Sequence, residues 1–149
     1  TVTRVVDRVL LDTNVLLTAS DAGRAAHSRA RAVLDEWPVR GTTLYTSGQI
    51  LREYLSVATR PLHSNGLGLS QVDAVANVRA FVDRLHLLSE NDKVHTRLLT
   101  LLGEVDCTGK QVHDGNIVAT GLAHGIGAVL TLNTGDFDRF GHMITVVPL

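Results

Sequence analysis

A short apolar run that ends in a single carboxylate limits the possible folds of this chain more than any other part of its sequence. Residues 8–11 read Arg-Val-Leu-Leu, and Asp12, Thr13 and Asn14 follow at once. An unbroken apolar run is typical of a strand covered on both faces, and Thr13 and Asn14 suit the start of a helix. Ligands of open α/β sheets bind beyond the carboxyl ends of the strands, where Asp12 would lie. The simpler interpretation is that Asp12 only caps the next helix.

Apolar spacing and turn-forming residues predict strands that alternate with helices along the chain. Strands are predicted at 8–11, 42–46, 86–88, 126–132 and 144–147, and helices at 14–19, 24–37, 48–60, 71–85, 90–102 and 112–123. This alternation predicts an α/β fold with a central, mostly parallel sheet of four to five strands flanked by helices. The 149 residues with 44% hydrophobic content can bury one core, so residues 1–149 are predicted to form a single domain.

Charge and cysteine content limit the partners and the compartment that we expect. The formal net charge is −1, so a polyanionic partner would need a local basic patch or bound metal rather than an overall positive field. Cys107 is the single cysteine, which excludes an intramolecular disulfide. Charged residues interrupt the first nine positions, unlike a signal peptide, and no apolar run approaches the ~18 residues of a membrane span. We therefore expect a cytoplasmic protein without membrane contact.

A second acid, Glu53, lies at the edge of an apolar helical stripe. It comes three residues after Ile50 and four before Val57, so its side chain is expected beside the buried face of the helix. A carboxylate in that position is costly unless it is paired or holds a cation. A salt bridge to Arg52, Arg60 or another basic group is an equally acceptable interpretation.

Two further acids repeat these two kinds of position. Asp114 opens the sixth predicted helix, with apolar residues three and four positions later, and its alternative role is ordinary helix capping. Asp136 follows the predicted strand 126–132, as Asp12 follows the first strand. Its alternative role is that of a turn residue before Phe137, whose ring is expected to anchor in the core.

Together the four acids predict a site that holds metal ions. The carboxyl ends of the first and penultimate strands can lie side by side where the strand order of a doubly wound sheet reverses. Carboxylates that converge there repel one another unless cations intervene. Oxygen ligands without a Cys/His set favour Mg²⁺ or Mn²⁺ over Zn²⁺, and two such ions about 3.5–4 Å apart form the clamp used in phosphodiester hydrolysis.

Four segments surround these acids: 10–16 (LLDTNVL), 52–53 (RE), 113–120 (HDGNIVAT) and 130–137 (LTLNTGDF). In their order and spacing they resemble the successive motifs of PIN-domain ribonucleases, and within that family they look most like the VapC toxins of bacterial toxin–antitoxin pairs. The resemblance spans nearly the whole chain. It implies a PIN-like three-layer fold and an endoribonuclease that hydrolyses RNA phosphodiesters with divalent metal, leaving a 5′-phosphate and a 3′-hydroxyl.

The resemblance also implies which residues form the site. The catalytic and metal-binding acids would be Asp12, Glu53, Asp114 and Asp136. Residues that shape the site would be Thr13, Asn14, Asn133 and Thr134, although many relatives carry a further acid at the position of Thr134. The implied cofactor is Mg²⁺ or Mn²⁺, and the implied partners are an RNA substrate, a small cognate antitoxin protein and a second copy of the chain in a homodimer.

Basic side chains are candidates for gripping RNA phosphate, although most are expected to be ordinary surface charges. The candidates are Arg4, Arg8, Arg52, Arg60, Lys110, His113 and Arg139. Arg52 and His113 each adjoin one of the acids and are the first to test. For His113 a packing role is the favoured interpretation.

Two other classes of function stay open at this point. A catalytically silent PIN-fold module would bind protein or RNA, and a housekeeping RNA-processing enzyme or structure-specific DNA nuclease would use the same acids. The chain has no Gly-x-Ser-x-Gly elbow, no zinc-protease histidine pair and no dinucleotide-binding loop between a strand and a helix. These absences argue against nucleophilic hydrolases, zinc proteases and dinucleotide-dependent enzymes.

Overall fold

The computed structural model describes residues 6–149, so the candidate Arg4 lies outside the described residues. The strands are β1 (Arg8–Leu11), β2 (Thr43–Ser47), β3 (His86–Leu88), β4 (Ala128–Thr131) and β5 (Thr145–Pro148). The helices are α1 (Thr13–Ala19), α2 (His27–Glu36), α3 (Gly48–Ala58), α4 (Gln71–Arg84), α5 (Asp92–Leu102) and α6 (Gln111–Ala123). Two short 3₁₀ helices cover Leu62–Ser64 and Thr134–Phe140.

The five strands form one parallel sheet in the order β3-β2-β1-β4-β5. The strand order reverses between β1 and β4, where Leu10 lies opposite Val129 and Leu11 opposite Leu130. The predicted α/β class with a sheet flanked by helices is therefore confirmed. The first and penultimate strands are direct neighbours, which puts their carboxyl ends at the position where ligands bind in such sheets.

Helices cover both faces of the sheet. Helix α1 contacts α2 and α3, α3 also contacts α4, and α5 packs most extensively against α6. Connections between parallel strands are right-handed, so the return from β3 at one edge to β4 beyond β1 puts α5 and α6 on the face opposite α1–α4. β1 is covered from both sides, and Val9, Leu10 and Leu11 are completely buried. The apolar run that opens the chain thus forms the centre of the core.

Local signals placed most elements, and two helix starts were predicted wrongly. The predicted caps are present: Ser47 Oγ accepts from the N–H of Ile50 at 3.4 Å, and Ser70 Oγ from that of Asp73 at 3.1 Å. The helix predicted at 24–37 begins only at His27, because the Asp21 carboxylate holds the N–H of Gly23 at 3.0 Å in a preceding turn.

The helix predicted from residue 90 begins at Asp92 instead. The side chain of Asn91 caps it by accepting from the N–H groups of Lys93 and Val94 at 3.1 and 3.2 Å. Glu90 therefore precedes the helix, and its carboxylate is available to α6. Within residues 6–149, every helix is too short or too polar to cross a bilayer.

Candidate active site

A cleft of about 340 Å³ opens at the carboxyl ends of β1 and β4, and all four predicted acids line it. Its lining residues are Asp12, Thr13, Asn14, Leu17, Glu53, Ser56, Val57, Arg60, Asp114, Asn133 and Asp136. The acids come from four separate elements: the turn after β1, α3, α6 and the 3₁₀ helix that follows β4. The fold thus brings together side chains that are up to 124 positions apart in the sequence.

Asp12 is the most buried of the four acids, with 8% of its surface exposed. Its carboxylate caps α1 through the N–H of Thr13 at 2.8 Å and also accepts from the Thr131 hydroxyl at 2.8 Å and the Asn14 amide at 3.2 Å. Burial raises the pKa of Asp12 above its ordinary value, against the opposing effect of these hydrogen bonds, and the charges of Glu53 and Asp136 raise it further. The capping role is therefore real, and it coexists with a place in the cleft.

Asn14 and Thr131 hold the end of β4 against Asp12. The Asn14 amide donates to Thr131 Oγ1 at 3.2 Å, and its carbonyl oxygen accepts from the N–H of Leu132 at 3.1 Å. The same hydroxyl of Thr131 accepts from the N–H of Asn133 at 3.0 Å. These bonds satisfy the backbone beyond β4 and set the direction in which the chain leaves the strand.

Among the residues that the structure describes, the donors that hold Glu53 are uncharged. Its Oε2 accepts from the Thr13 hydroxyl at 2.7 Å and its Oε1 from the Gln49 amide at 2.9 Å. Arg52 pairs instead with Glu90 at 3.6 Å, and Arg60 lines the cleft without a salt bridge to any described residue. The alternative of an Arg52 or Arg60 salt bridge for Glu53 is therefore wrong.

Asp114 lies in the first turn of α6, one helical turn after the capping residue Lys110. Within residues 6–149, its carboxylate has neither a hydrogen-bond donor nor a salt bridge. The pKa of Asp114 is raised from 3.8 to about 6, mainly by burial and further by the charges of Asp12, Asp136 and Glu53. The four acids are therefore close enough for their charges to repel one another.

Asp136 lies on the 3₁₀ helix Thr134–Phe140 and is exposed at the mouth of the cleft. The next residue, Phe137, is completely buried, as predicted, and packs near Phe140 with ring centroids 6.3 Å apart. Two buried rings therefore anchor the short helix that carries Asp136.

Arg52 and His113 lie outside the cleft, although each adjoins one of its acids in sequence. Arg52 has 69% of its side chain exposed. His113 is also exposed, so the packing role favoured for it is wrong; its backbone carbonyl, however, accepts from the Gln49 amide at 2.9 Å. Thr134 begins the 3₁₀ helix but does not line the cleft, whereas Asn133 does. Arg139 donates to the carbonyl of Asp106 at 2.9 Å.

The sequence interpretation missed four polar residues that support the site: Gln49, Glu90, Asn116 and Thr131. Gln49 precedes Glu53 by four positions, which places both on one face of α3, and this spacing was the available signal. Asn116 lies within a mostly apolar stretch of α6, where an amide needs a partner. Thr131 ends a completely buried strand, where a hydroxyl also needs a partner.

The oxygen-rich cleft fits a divalent cation that is held partly by the protein. Among residues 6–149, no group of three or more His, Cys, Asp or Glu side chains is arranged to hold a metal ion by itself. Mg²⁺ commonly binds through one or two carboxylates and completes its coordination with water and substrate phosphate. None of the four acids forms a salt bridge with a described residue, although Arg60 lines the same cleft.

Comparisons with known proteins agree with this architecture. Similar solved structures include VapBC2 of Rickettsia felis bound to a promoter DNA fragment, at 15% identity over 95% of this chain and 98% of that chain, with a TM-score of 0.68. DNA-bound VapBC of Salmonella typhimurium shares 19% identity over 95% and 97% of the two chains (TM-score 0.66). VapC20 of Mycobacterium tuberculosis, a toxin that cleaves the sarcin-ricin loop, shares 18% over 81% and 86% (TM-score 0.61).

At these identities the likeness to VapC toxins is one of fold, and at that level the resemblance seen in the sequence is confirmed. A search of curated protein sequences gives no significant match. A family model described as PIN domain matches residues 8–108, which include β1, Asp12 and Glu53. Because this match covers more than half of the chain, the chain belongs to the PIN domain family.

Proposed function

We propose that this chain is a divalent-metal-dependent endoribonuclease and the toxin of a toxin–antitoxin pair. The observation that carries the proposal is the cleft itself, where four carboxylates from four elements meet and none of them forms a salt bridge with a described residue. Such an arrangement is unfavourable for folding alone, since like charges repel and Asp12 is buried. A cluster of carboxylates that repel one another and lack salt bridges is typical of a site that binds cations for its function.

The proposed catalytic acids are Asp12, Glu53, Asp114 and Asp136. A bound Mg²⁺ or Mn²⁺ would neutralise charge that develops on the phosphodiester and activate a water molecule. Asp12 and Glu53 present oxygens whose positions are set by hydrogen bonds from Thr13, Thr131 and Gln49. Asp114 and Asp136 would complete the acidic wall, and Asn133 or Thr134 would orient water or an acid.

RNA is the proposed substrate, and Arg60 is the proposed phosphate contact within the cleft. Among the described residues, it is the basic side chain that lines the cleft together with the four carboxylates. Arg52 and His113 have exposed side chains next to Glu53 and Asp114 in the chain, and we propose them as outer RNA contacts. With a net charge of −1, such local contacts and the cation would have to provide the attraction for a polyanion.

The toxin role is supported by the fold likeness to the VapBC complexes. An acidic cleft is also suited to an inhibitory peptide with an arginine, which pairs with carboxylates in bidentate geometry. We therefore propose a small cognate antitoxin as partner and a homodimer as the assembly, both from the family resemblance. Co-purification with a small protein encoded beside this chain would support the antitoxin, and the absence of any such binder would contradict it.

Metal binding and substrate choice are tested together. The metal-free chain is titrated with Mn²⁺ by calorimetry, and cleavage is measured on matched RNA and DNA oligonucleotides with Mg²⁺ or Mn²⁺. We expect saturable Mn²⁺ binding and cleavage of RNA. If the chain binds no metal, it is a catalytically silent module, and if it cleaves only DNA, the ribonuclease proposal is wrong.

A further inference from the structure

A buried amide, Gln49, lies directly behind two of the four acids. Only 6% of its surface is exposed, and it does not line the cleft. Its Nε2 donates one hydrogen bond to Glu53 Oε1 at 2.9 Å and a second to the backbone carbonyl of His113 at 2.9 Å. Both hydrogens of the amide are thus used, one on each side of the junction between α3 and α6.

These two bonds couple acids from different helices. Glu53 lies on α3, four residues after Gln49, and Asp114 follows His113 in the first turn of α6. Glu53 is also fixed from the other side by the Thr13 hydroxyl at 2.7 Å. The amide of Gln49 therefore sets the orientation of the Glu53 carboxylate and the distance from it to the helix turn that carries Asp114.

The orientation of the Gln49 amide is determined by a chain of further bonds. The Asn116 amide donates to Gln49 Oε1 at 2.6 Å and to Glu90 Oε1 at 2.7 Å. Because an ionised carboxylate only accepts hydrogen bonds, Glu90 requires the NH₂ group of Asn116 to face it. Asn116 then faces the carbonyl oxygen of Gln49, which leaves the NH₂ group of Gln49 directed at Glu53.

Because the Gln49 amide is uncharged, it can orient the Glu53 carboxylate without neutralising its charge. An arginine or lysine beside Glu53 would orient the carboxylate but also neutralise it, which would weaken its attraction for a cation. The cation of this network, Arg52, contacts Glu90 at the outer end, with 69% of its side chain exposed. The positive charge of Arg52 therefore lies outside the cleft, while Glu90, which Arg52 contacts, still accepts a hydrogen bond from the Asn116 amide.

We infer that Gln49, supported by Asn116 and Glu90, is a positioning residue that presets Glu53 and Asp114 for binding a divalent cation. The inference rests on the proposed function, since it concerns metal binding at the same cleft. Residues that orient metal ligands are commonly worth a factor of 10–100 in metal affinity. Gln49 acts through Glu53 and the backbone of His113 and touches neither substrate nor cation.

The experiment is a calorimetric titration of the metal-free full chain with Mn²⁺. Gln49→Met keeps the length of the side chain but removes the amide, and we expect the Kd for Mn²⁺ to rise roughly 10- to 100-fold. The matched control is Asn77→Leu, which removes a half-buried amide that donates to the Tyr54 hydroxyl at 3.0 Å and does not line the cleft. Gln49→Met loses three side-chain hydrogen bonds and Asn77→Leu loses one, so both are expected to lose some thermal stability, but the control is expected to retain the wild-type Kd.

A second readout is the split between kcat and KM in RNA cleavage at saturating Mn²⁺. We expect kcat to fall in Gln49→Met while the KM for RNA is unchanged, because Gln49 is buried behind the cleft. A Kd equal to that of wild type, or a change in KM alone, would overturn the role of Gln49. If the wild-type chain binds no Mn²⁺, the proposed metal-dependent function is wrong. This outcome differs from one in which wild type binds Mn²⁺ and Gln49→Met binds it equally well, which would contradict only the role of Gln49.

Two further variants keep the test decisive if Gln49→Met does not fold. Gln49→Asn retains the amide but shortens its reach, and we expect weaker Mn²⁺ binding; a wild-type Kd would again overturn the inference. Asn116→Leu leaves the NH₂ group of Gln49 but removes the bond that directs it. Its Kd is expected to lie between those of wild type and Gln49→Met, and a wild-type Kd would exclude Asn116 from the positioning network.

Discussion

The two halves of the acidic cleft differ in how firmly their carboxylates are held. Asp12 and Glu53 accept hydrogen bonds from backbone, hydroxyl and amide donors at 2.7–3.2 Å. Within the part of the chain that the structure describes, the carboxylates of Asp114 and Asp136 have no such donors. One half is therefore fixed by folding, whereas the other half has its oxygens free.

This difference indicates that folding positions two of the acids and that ligand binding positions the other two. A buried carboxylate such as Asp12 has to be hydrogen-bonded, and these bonds set its position before any ion arrives. Asp114 and Asp136 keep their oxygens free for a cation or a hydrated substrate, at the cost of mutual repulsion. Folding thus fixes the carboxylates of Asp12 and Glu53, and those of Asp114 and Asp136 take their final positions when a cation or substrate binds.

Replacing one acid from each half of the cleft tests the difference between the halves directly. Asp12→Asn is expected to lower metal-dependent RNA cleavage by at least ~100-fold, because the fixed half would lose its central charge. Asp136→Asn is expected to cost roughly 10-fold, since water can replace an exposed ligand. Initial rates at matched Mn²⁺ concentration check both values. Equal losses in the two variants would contradict the division into halves.

Asp138→Asn is the matched control for the loss of a carboxylate. Asp138 lies on the same 3₁₀ helix as Asp136, is exposed and does not line the cleft. Its removal is expected to leave cleavage unchanged, and a substantial loss would mean that the acidic site extends beyond the four acids.

The next effect tests how firmly the fixed half is held. Thr131→Val removes the hydroxyl that donates to Asp12 at 2.8 Å and accepts from Asn14 and Asn133. We expect the free energy of unfolding to fall by ~2 kcal/mol, because buried polar groups lose their partner. Urea unfolding of the metal-free protein measures it.

Thr46→Val is the control with the same chemistry at another buried site. Thr46 is completely buried in β2, and its hydroxyl has no hydrogen-bond partner within residues 6–149. Its replacement is expected to be neutral or slightly stabilising, because no hydrogen bond is lost. Similar destabilisation by both substitutions would show that the Thr131 hydroxyl does not specifically support Asp12.

A smaller effect concerns the basic residue of the cleft. Arg60→Ala is expected to raise the KM for RNA about fivefold and to leave kcat nearly unchanged, since a phosphate contact contributes to uniform binding. The negative slope of log affinity against log salt concentration should become shallower by about 0.7, because one phosphate contact is lost. Arg29→Ala, an exposed arginine on α2 outside the cleft, is the control. No change in KM or in the salt slope would exclude Arg60 from RNA binding.

Removing the charge of Asp114, in the free half of the cleft, is expected to give a small increase in the free energy of unfolding. The pKa of Asp114 is raised from 3.8 to about 6, so the folded protein binds this proton more tightly than the unfolded chain does. The stability from protonated Asp114 is full below pH 3.8 and is lost as the pH rises through about 6. In metal-free protein, Asp114→Asn should therefore be more stable than wild type at pH 7.5.

The gain from Asp114→Asn is expected to be ~1 kcal/mol at pH 7.5, after allowance for solvent screening, and to disappear near pH 4. Thermal melts across this pH range measure it as a rise in Tm of about 3 °C. A variant less stable than wild type at pH 7.5 would show that the carboxylate is compensated in the folded protein. The stabilisation of wild type by Mn²⁺ should be reduced in the variant.

Local patterns predicted much of the fold. The bounds of β1 and β3 match the prediction, since an apolar run before Asp12 and a short apolar segment at 86–88 need no distant information. The caps Ser47 and Ser70 also follow from local chemistry, because a hydroxyl accepts from a backbone N–H three residues later. The helix start at His27 was missed because a side chain of the preceding turn competes with the helix for the backbone.

Spacing along the chain is enough to predict that acids follow two strands and lie beside two helical stripes. Which donors hold these acids depends instead on contacts that form when the chain folds. The bond from Asn116 to Gln49 joins residues 67 positions apart, and it depends on how α3 and α6 are rotated and packed. Helix rotation and packing are set by the whole buried core, so no local pattern contains them. For the same reason, the contrast between the fixed and the free half of the cleft became visible only in the folded chain.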